Sequence, residues 1–484
     1  MSEQIITIDN FSDGVNEYID EDIAPFNCSV RAKNCIIQDG SLIAKPVDRF
    51  VTLYPGYINS VAVLDGKYIY YNIGTNMYEY NKSIVCGCAN HAKDYVNFLY
   101  KNNKSLILTS SSETPFVWNP TNGKVNLKNR RPVYNTKTGA LIGWEDANGN
   151  IKDREEDITT YAPNGDYIEL FYDRLWIAGN SNNPDRLYFS TAGQNGADIE
   201  DWTAPIEEGE ANMHGGFIDV RSYDGSKIIG LKVVFNSLII FKNKSAYKLY
   251  GSSPDNFEIA QVFSSNGAIA NNSIVTGNNG CFYLASDGVY YYDGTNTNLI
   301  SQKLSKTFSR LSKEYAGRAN AIYYDNKYIL SMPIDGSTEN NCIVIYDVNN
   351  KSWMTYDTQK CSNLFEFKHR LYFTEGEKMY ELIFNGSSGA YHMLWETPMY
   401  SMGTKNSRKN INYVYFTGKG GKVKFTLKTE RKTKSIVVPL SDKPLVYRKK
   451  LKNKGRWFKL IIENVDGCPL MISAPQLSIE DDAD

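Results

Sequence analysis

Asn279-Gly280-Cys281-Phe282-Tyr283-Leu284, then Gly288-Val289-Tyr290-Tyr291-Tyr292, sets a polar turn, an apolar strand, a short gap and a tyrosine-rich strand in series. The same phrase recurs along the chain. It reads Asp65-Gly66-Lys67-Tyr68-Ile69-Tyr70 with Met77-Tyr78-Glu79-Tyr80, and Lys104-Ser105-Leu106-Ile107-Leu108 with Phe116-Val117-Trp118. It returns as Asp173-Arg174-Leu175-Trp176-Ile177-Ala178 with Arg186-Leu187-Tyr188-Phe189, and as Asn236-Ser237-Leu238-Ile239-Ile240 with Ala246-Tyr247-Lys248-Leu249-Tyr250. The last two copies are Asp325-Asn326-Lys327-Tyr328-Ile329-Leu330 with Cys342-Ile343-Val344-Ile345-Tyr346, and His369-Arg370-Leu371-Tyr372-Phe373 with Lys378-Met379-Tyr380-Glu381-Leu382. Four-stranded propeller blades repeat about every 40–50 residues, and Asp-Gly and Asp-Asn pairs suit hairpins of an antiparallel meander. The expectation is an all-β chain with a β-propeller of seven blades over residues 55–390, the apolar strand inner and doubly packed. Six or eight blades also fit, since one wide gap can hide or lack a blade.

Composition agrees with that class. Of 484 residues, 42% are hydrophobic and 22% charged, enough for one large repeat array and a smaller domain. The 35 tyrosines favour strands, because aromatic side chains pack well on pleated surfaces. No apolar run approaches the roughly 18 residues of a membrane span. Residues Met1–Asn10 carry two acids, no base and no long apolar stretch, unlike a secretion signal, so assembly in a cytoplasm is expected. The eight cysteines are scattered and read as free thiols.

Two intervals between copies are long: a polar insertion at about 119–165, and 191–226 with Asp201-Trp202 and the acidic Glu207-Glu208-Gly209-Glu210. Leu304, Phe308 and Leu311 predict a short helix within Ser301–Tyr315. Residues 1–54 read as an N-terminal arm with first strands. From 391 to 484 the phrase gives way to alternating strands at 412–416, 422–427, 435–438, 456–462 and 470–472, a small β-sandwich with an acidic tail.

Candidate chemistry is sparse. Cys86, Cys88 and His91 offer three metal ligands, but structural zinc wants a fourth and no second cluster follows. Asp146-Ala147-Asn148-Gly149-Asn150 alternates oxygen ligands like a calcium loop, yet lacks the turn glycine and terminal glutamate, and reads as a hairpin tip. The pair Glu155-Glu156 reads as solvated turn charge. No nucleophile elbow or phosphate-cradling loop is present, so no catalytic residue, cofactor or metal is assigned.

Charge, by contrast, is strongly segregated. Residues 397–460 hold 18 Lys/Arg against only Glu430 and Asp442, a net of +16 in a chain whose total is −1. Arg431, Lys432, Lys434, Arg448, Lys449, Lys450, Lys452, Lys454 and Arg456 are therefore the candidate interaction residues. A solvated face, docking on an acidic protein neighbour, and contact with nucleic-acid phosphates are the three readings open to them.

The opening Asn10-Phe11-Ser12-Asp13-Gly14-Val15-Asn16, then Cys35-Ile36-Ile37-Gln38-Asp39-Gly40-Ser41-Leu42-Ile43-Ala44-Lys45-Pro46, resembles the start of many tailed-phage virion proteins. Asp173 to Asn180, Asn183 to Ser190, Asp201-Trp202, and the closing Gly455-Arg456-Trp457-Phe458-Lys459-Leu460 with Pro469 to Ile472 and Gln476 to Ile479 are similar to the same group. The whole layout resembles the packaged-DNA stabilisation, tail nozzle or tail hub proteins of short-tailed phages. The resemblance implies a non-enzymatic virion protein, assembled in the host cytoplasm as a homo-oligomeric, six-membered ring beneath portal and adaptor. That ring, with other tail proteins, would extend the DNA channel, retain packaged DNA and take part in ejection. The competing expectations are a carbohydrate-binding propeller for host recognition, a propeller enzyme and an intracellular scaffold.

Overall fold

Each repeated phrase forms the second and third strands of a four-stranded antiparallel meander, not its innermost strand. The computed structural model describes residues 4–193, 199–203, 215–222, 225–263, 266–277, 279–357, 359–384, 386, 389–401 and 407–481. Strand makes up 55% of the chain and helix 4%, a β-propeller-like all-β fold. Among the described residues there are seven four-stranded sheets. Their first strands are Ile58–Leu64, Asp94–Tyr100, Tyr167–Phe171, Ile228–Val234, Val275–Gly277, Asn320–Tyr324 and Asn363–Phe367. Each of these touches the first strand of the next sheet, and the last touches the first, so the contacts close on themselves. The second strand is the apolar one because neighbouring sheets cover both its faces, as in Gly280–Ala285, where all six residues are buried.

Closure uses the chain's beginning. The arm supplies β1 (Gln4–Thr7), β2 (Arg31–Lys33), β3 (Cys35–Gln38), β4 (Ser41–Ala44) and β5 (Arg49–Leu53). Strand β5 pairs with Lys378–Glu381 and completes the last four-stranded sheet. The sheet array therefore starts at residue 49 rather than 55. The other four strands enter the C-terminal sandwich, built from β6 (Leu394–Glu396), β7 (Lys409–Gly420), β8 (Lys422–Thr429), β9 (Thr433–Pro439), β10 (Leu445–Gly455), β11 (Phe458–Asn464) and β12 (Leu470–Asp481). One sheet runs β3-β4-β12-β7-β10 with β1 also on β12; the other runs β2-β6-β11-β8-β9. The sandwich thus begins in the arm, not at residue 391.

One apolar core runs from the sandwich into the neighbouring sheets. Phe11 is fully buried and meets Trp395 edge-on at 5.1 Å. Gly14 has φ +66°, and a Cβ there would lie 2.6 Å from the carbonyl oxygen of Trp353, so only glycine fits between arm and sheet. Further details go beyond or correct the sequence reading. The helix is confined to Ser305–Ser309, after a 3-10 turn at Gln302–Leu304; Leu311 then bridges Ile334 in extended pairing, which ends it. The basic run 448–454 belongs to an eleven-residue strand, β10. Within the insertion, Arg130–Tyr134, Leu141–Asp146 and Ile151–Lys152 form a sheet of their own. Its Glu155 is not solvated turn charge, since it pairs with Arg130 and Lys101, both at 2.9 Å. The acidic stretch 207–210 and residues 482–484 of the tail lie outside the described residues.

Candidate interaction groove

Strands β9 and β10 are the outer strands of the two sandwich sheets, and they lie side by side. The tight turn after β8 brings them together. Thr429 donates its N–H to the Lys432 carbonyl at 3.0 Å, and the buried Asn453 amide on β10 donates to Leu427 and Lys432 carbonyls at 3.1 and 3.2 Å. At Gly455 a Cβ would lie 2.7 Å from Thr429 Cβ, so this close approach requires glycine. Between the strands runs a groove of about 400 Å³ lined by Arg408, Arg431, Lys432, Lys434, Lys452 and Lys454. Among the described residues its one lining carboxylate, Glu430, accepts the Arg456 N–H at 2.9 and 3.1 Å.

Five of the nine predicted residues therefore line one groove: Arg431, Lys432, Lys434, Lys452 and Lys454. Arg448 and Lys450 lie beside it on β10, opposite Tyr415 and Tyr413 of β7, with the Arg448 guanidinium 4.0 Å from the Tyr413 ring centroid. Lys449 stands opposite the buried Val414, a charge on the inward side of an edge strand that discourages a further strand from pairing there. Arg456 is exposed just past the groove. Among the described residues, Arg431, Lys432, Lys434 and Lys452 have no carboxylate partner, whereas Lys424 pairs with Glu463 at 2.9 Å and Lys459 with Glu396 at 3.4 Å. The sandwich thus satisfies its cations on one flank and leaves the groove positive. Arg408, Tyr413 and Tyr415 were not singled out from sequence; the signal available was the alternation of Tyr413 and Tyr415 around the buried Val414.

A second concavity lies where the first strands converge. A cavity of about 320 Å³ is lined by residues from the first strand of all seven sheets, and a mouth of about 530 Å³ adjoins it. Lys232 crosses it to Glu169 at 3.0 Å. The Asp94 carboxylate accepts N–H groups of Tyr95 at 3.0 Å, Ile168 at 3.1 Å and Asn271 at 3.2 Å. Burial pushes Asp94 up to about 6, with the Ile168 N–H and Lys232 pulling it back. Between about pH 4 and 6 the folded chain then binds more protons than the unfolded one, so Asp94 makes stability fall as pH rises through that window. Replacing it with Asn should flatten that dependence in urea-unfolding midpoints; an unchanged slope would place the proton elsewhere.

Of the remaining sequence candidates, His91 lines the mouth of the axial cavity, and the others lie outside both sites. The Cys88 thiol accepts from Asn72 at 2.9 Å, and burial pushes the Cys86 thiol up to about 11. His91 is exposed, and among the described residues no group of three His, Cys, Asp or Glu side chains is placed to hold a metal ion. Asp146 accepts the N–H groups of Asn148 and Asn150 at 2.8 and 2.9 Å and caps a hairpin turn. Among the described residues no helix is long and apolar enough to cross a membrane.

No family model matches the sequence, and no curated protein matches it. Solved structures do. The extracellular domain of the putative one-component system BT4673 from B. thetaiotaomicron aligns over 90% of this chain at 10% identity and a TM-score of 0.43; this chain covers 62% of that one. The WD40 domain of Neurospora crassa Pan2 aligns over 68% of this chain and 89% of its own at 9% identity and a TM-score of 0.37. The AfRom2 CNH domain aligns over 71% and 100% at 9% identity and a TM-score of 0.39. None of the three reaches a TM-score of 0.5, and none bears on function.

Proposed function

We propose that this chain is a structural component of a short-tailed phage tail, a seven-bladed propeller clasped to a basic sandwich. Several copies, six by the resemblance, form a nozzle- or hub-type ring below portal and adaptor that extends the DNA channel, retains packaged DNA and takes part in ejection. The observation that carries the reading is where the resembling residues fall. Phe11, Gly14, Lys45 and Pro46 build the joint between arm, sheets and sandwich, and Arg174, Trp176 and Trp202 are buried in the sheet array. These motifs specify an architecture rather than a reaction, and a rigid two-lobed wedge suits a ring subunit. A closed ring needs two different patches on each copy, and the positive groove and the acidic remainder of the chain supply them.

The role is structural rather than enzymatic in this reading. The two carboxylates of the inner cavity are committed, Asp94 to three N–H donors and Glu169 to Lys232. An axis crossed by side chains leaves no path for a duplex, so the DNA channel runs between subunits. Ring assembly led by charge should weaken as salt shortens the Debye length from about 10 Å at 0.1 M towards about 3 Å at 1 M. Sedimentation velocity across that range tests this; a ring indifferent to ionic strength contradicts charge-led assembly.

A further inference from the structure

We propose that the β9–β10 groove is a track for the phosphodiester backbone of a nucleic-acid strand, bound without regard to sequence. The inference rests on the groove alone and does not require a ring. Arg431, Lys432, Lys434 and Lys452 converge on it with no carboxylate partner among the described residues, and Glu430 is occupied by the Arg456 N–H. Such a cluster of exposed cations is an electrostatic footprint for an external polyanion, which gains by releasing its counterions.

Two features favour a nucleic-acid strand over an acidic protein. Beside the groove, Tyr413 and Tyr415 stand half-buried on the outer side of β7 with Arg448 over Tyr413, 4.0 Å from its centroid. A basic track flanked by aromatic rings and a stacked guanidinium is the chemistry that holds unpaired bases while cations follow the backbone. Spacing agrees along β10: Lys452 and Lys454 are alternate residues of an extended strand, about 6.8 Å apart, twice the roughly 3.4 Å rise per phosphate of one stacked nucleic-acid strand.

The test is fluorescence anisotropy of the full chain with labelled oligo(dT) of about 15 nucleotides, and with a duplex of equal length. Four phosphate contacts give a slope of log affinity against log salt near −2.8, so oligo(dT) binding should weaken about 50-fold between 50 and 200 mM salt. The combined Arg431→Ala, Lys432→Ala, Lys434→Ala and Lys452→Ala variant should lose most of that slope and bind at least tenfold more weakly at low salt, while the three Lys→Arg replacements keep it. All four side chains are exposed, and an unchanged melting curve confirms that the variant folds. Arg448→Ala should weaken oligo(dT) more than duplex. No binding at low salt, binding that survives the fourfold variant, or displacement by poly-glutamate at equal charge concentration would each overturn the proposal, the last in favour of an acidic protein partner.

Discussion

Asp48→Ala should lower the unfolding free energy by about 3–5 kcal/mol, the cost of stranding a buried charge. Lys45 and Asp48 are 0% and 1% exposed, with the ammonium 2.9 and 2.8 Å from the two carboxylate oxygens. The same carboxylate accepts the Ile383 N–H and the Tyr391 hydroxyl, each at 3.1 Å, and the Gln359 amide. Tyr356 and Tyr391 enclose the ammonium at 5.1 and 4.5 Å from their ring centroids. These residues come from the arm, the closing sheets and the entry to the sandwich, so one ion pair latches three parts of the chain. Burial already pulls the Lys45 pKa down and Asp48 props it up. Without Asp48 the folded state would favour the neutral amine and bind fewer protons than the unfolded chain. The variant should therefore recover part of its stability as pH rises towards about 10. Urea unfolding at two pH values measures both effects; a loss below about 1 kcal/mol would mean the pair is not the latch. Replacing both residues with apolar ones of similar volume should cost far less than the single change, because no charge is then left buried.

Glu200→Gln should release the insertion sheet while leaving the rest folded. Arg130 and Glu200 are each 1% exposed and 2.6 Å apart. Arg130 also lies 3.9 Å over the Trp144 ring and pairs with Glu155, and Glu200 accepts the Lys128 N–H at 3.0 Å. Neutralising Glu200 removes the buried carboxylate facing the Arg130 guanidinium and leaves the partly exposed Glu155 among its partners, a local cost of about 3 kcal/mol. Trypsin should then cut at Lys137, Lys152 or Arg154 at least tenfold faster, with little change in global melting. Equal cleavage rates would show that Trp144 and the hairpin hydrogen bonds hold the sheet without the ion pair.

The repeat was legible because each second strand is apolar on both faces and each hairpin carries its own turn residues, as in Asp325-Asn326 and Asp65-Gly66. The innermost strands were not, because an axis lined by polar groups puts Asp94, Lys232 and Asn320 where a buried strand would show only apolar residues. Strand β10 hid for a related reason. As an edge strand it buries only Leu451, Asn453 and Gly455 inward, and its lysines obscure the alternation. The arm's division between two bodies has no local signature, since strand pairing across some 330 residues is written only in the partner's register. The charge of the candidate residues was visible in sequence; their convergence on one groove depended on a turn at 429–432 and on Asn453.

We propose that copies of this chain assemble into a ring on the tail side of a portal. Light scattering tests this, giving the mass of the purified protein alone and mixed with a portal–adaptor assembly from the same genome. The expected result is a closed multimer, formed alone or on that assembly. A chain that stays monomeric and ignores the assembly at low salt would contradict it.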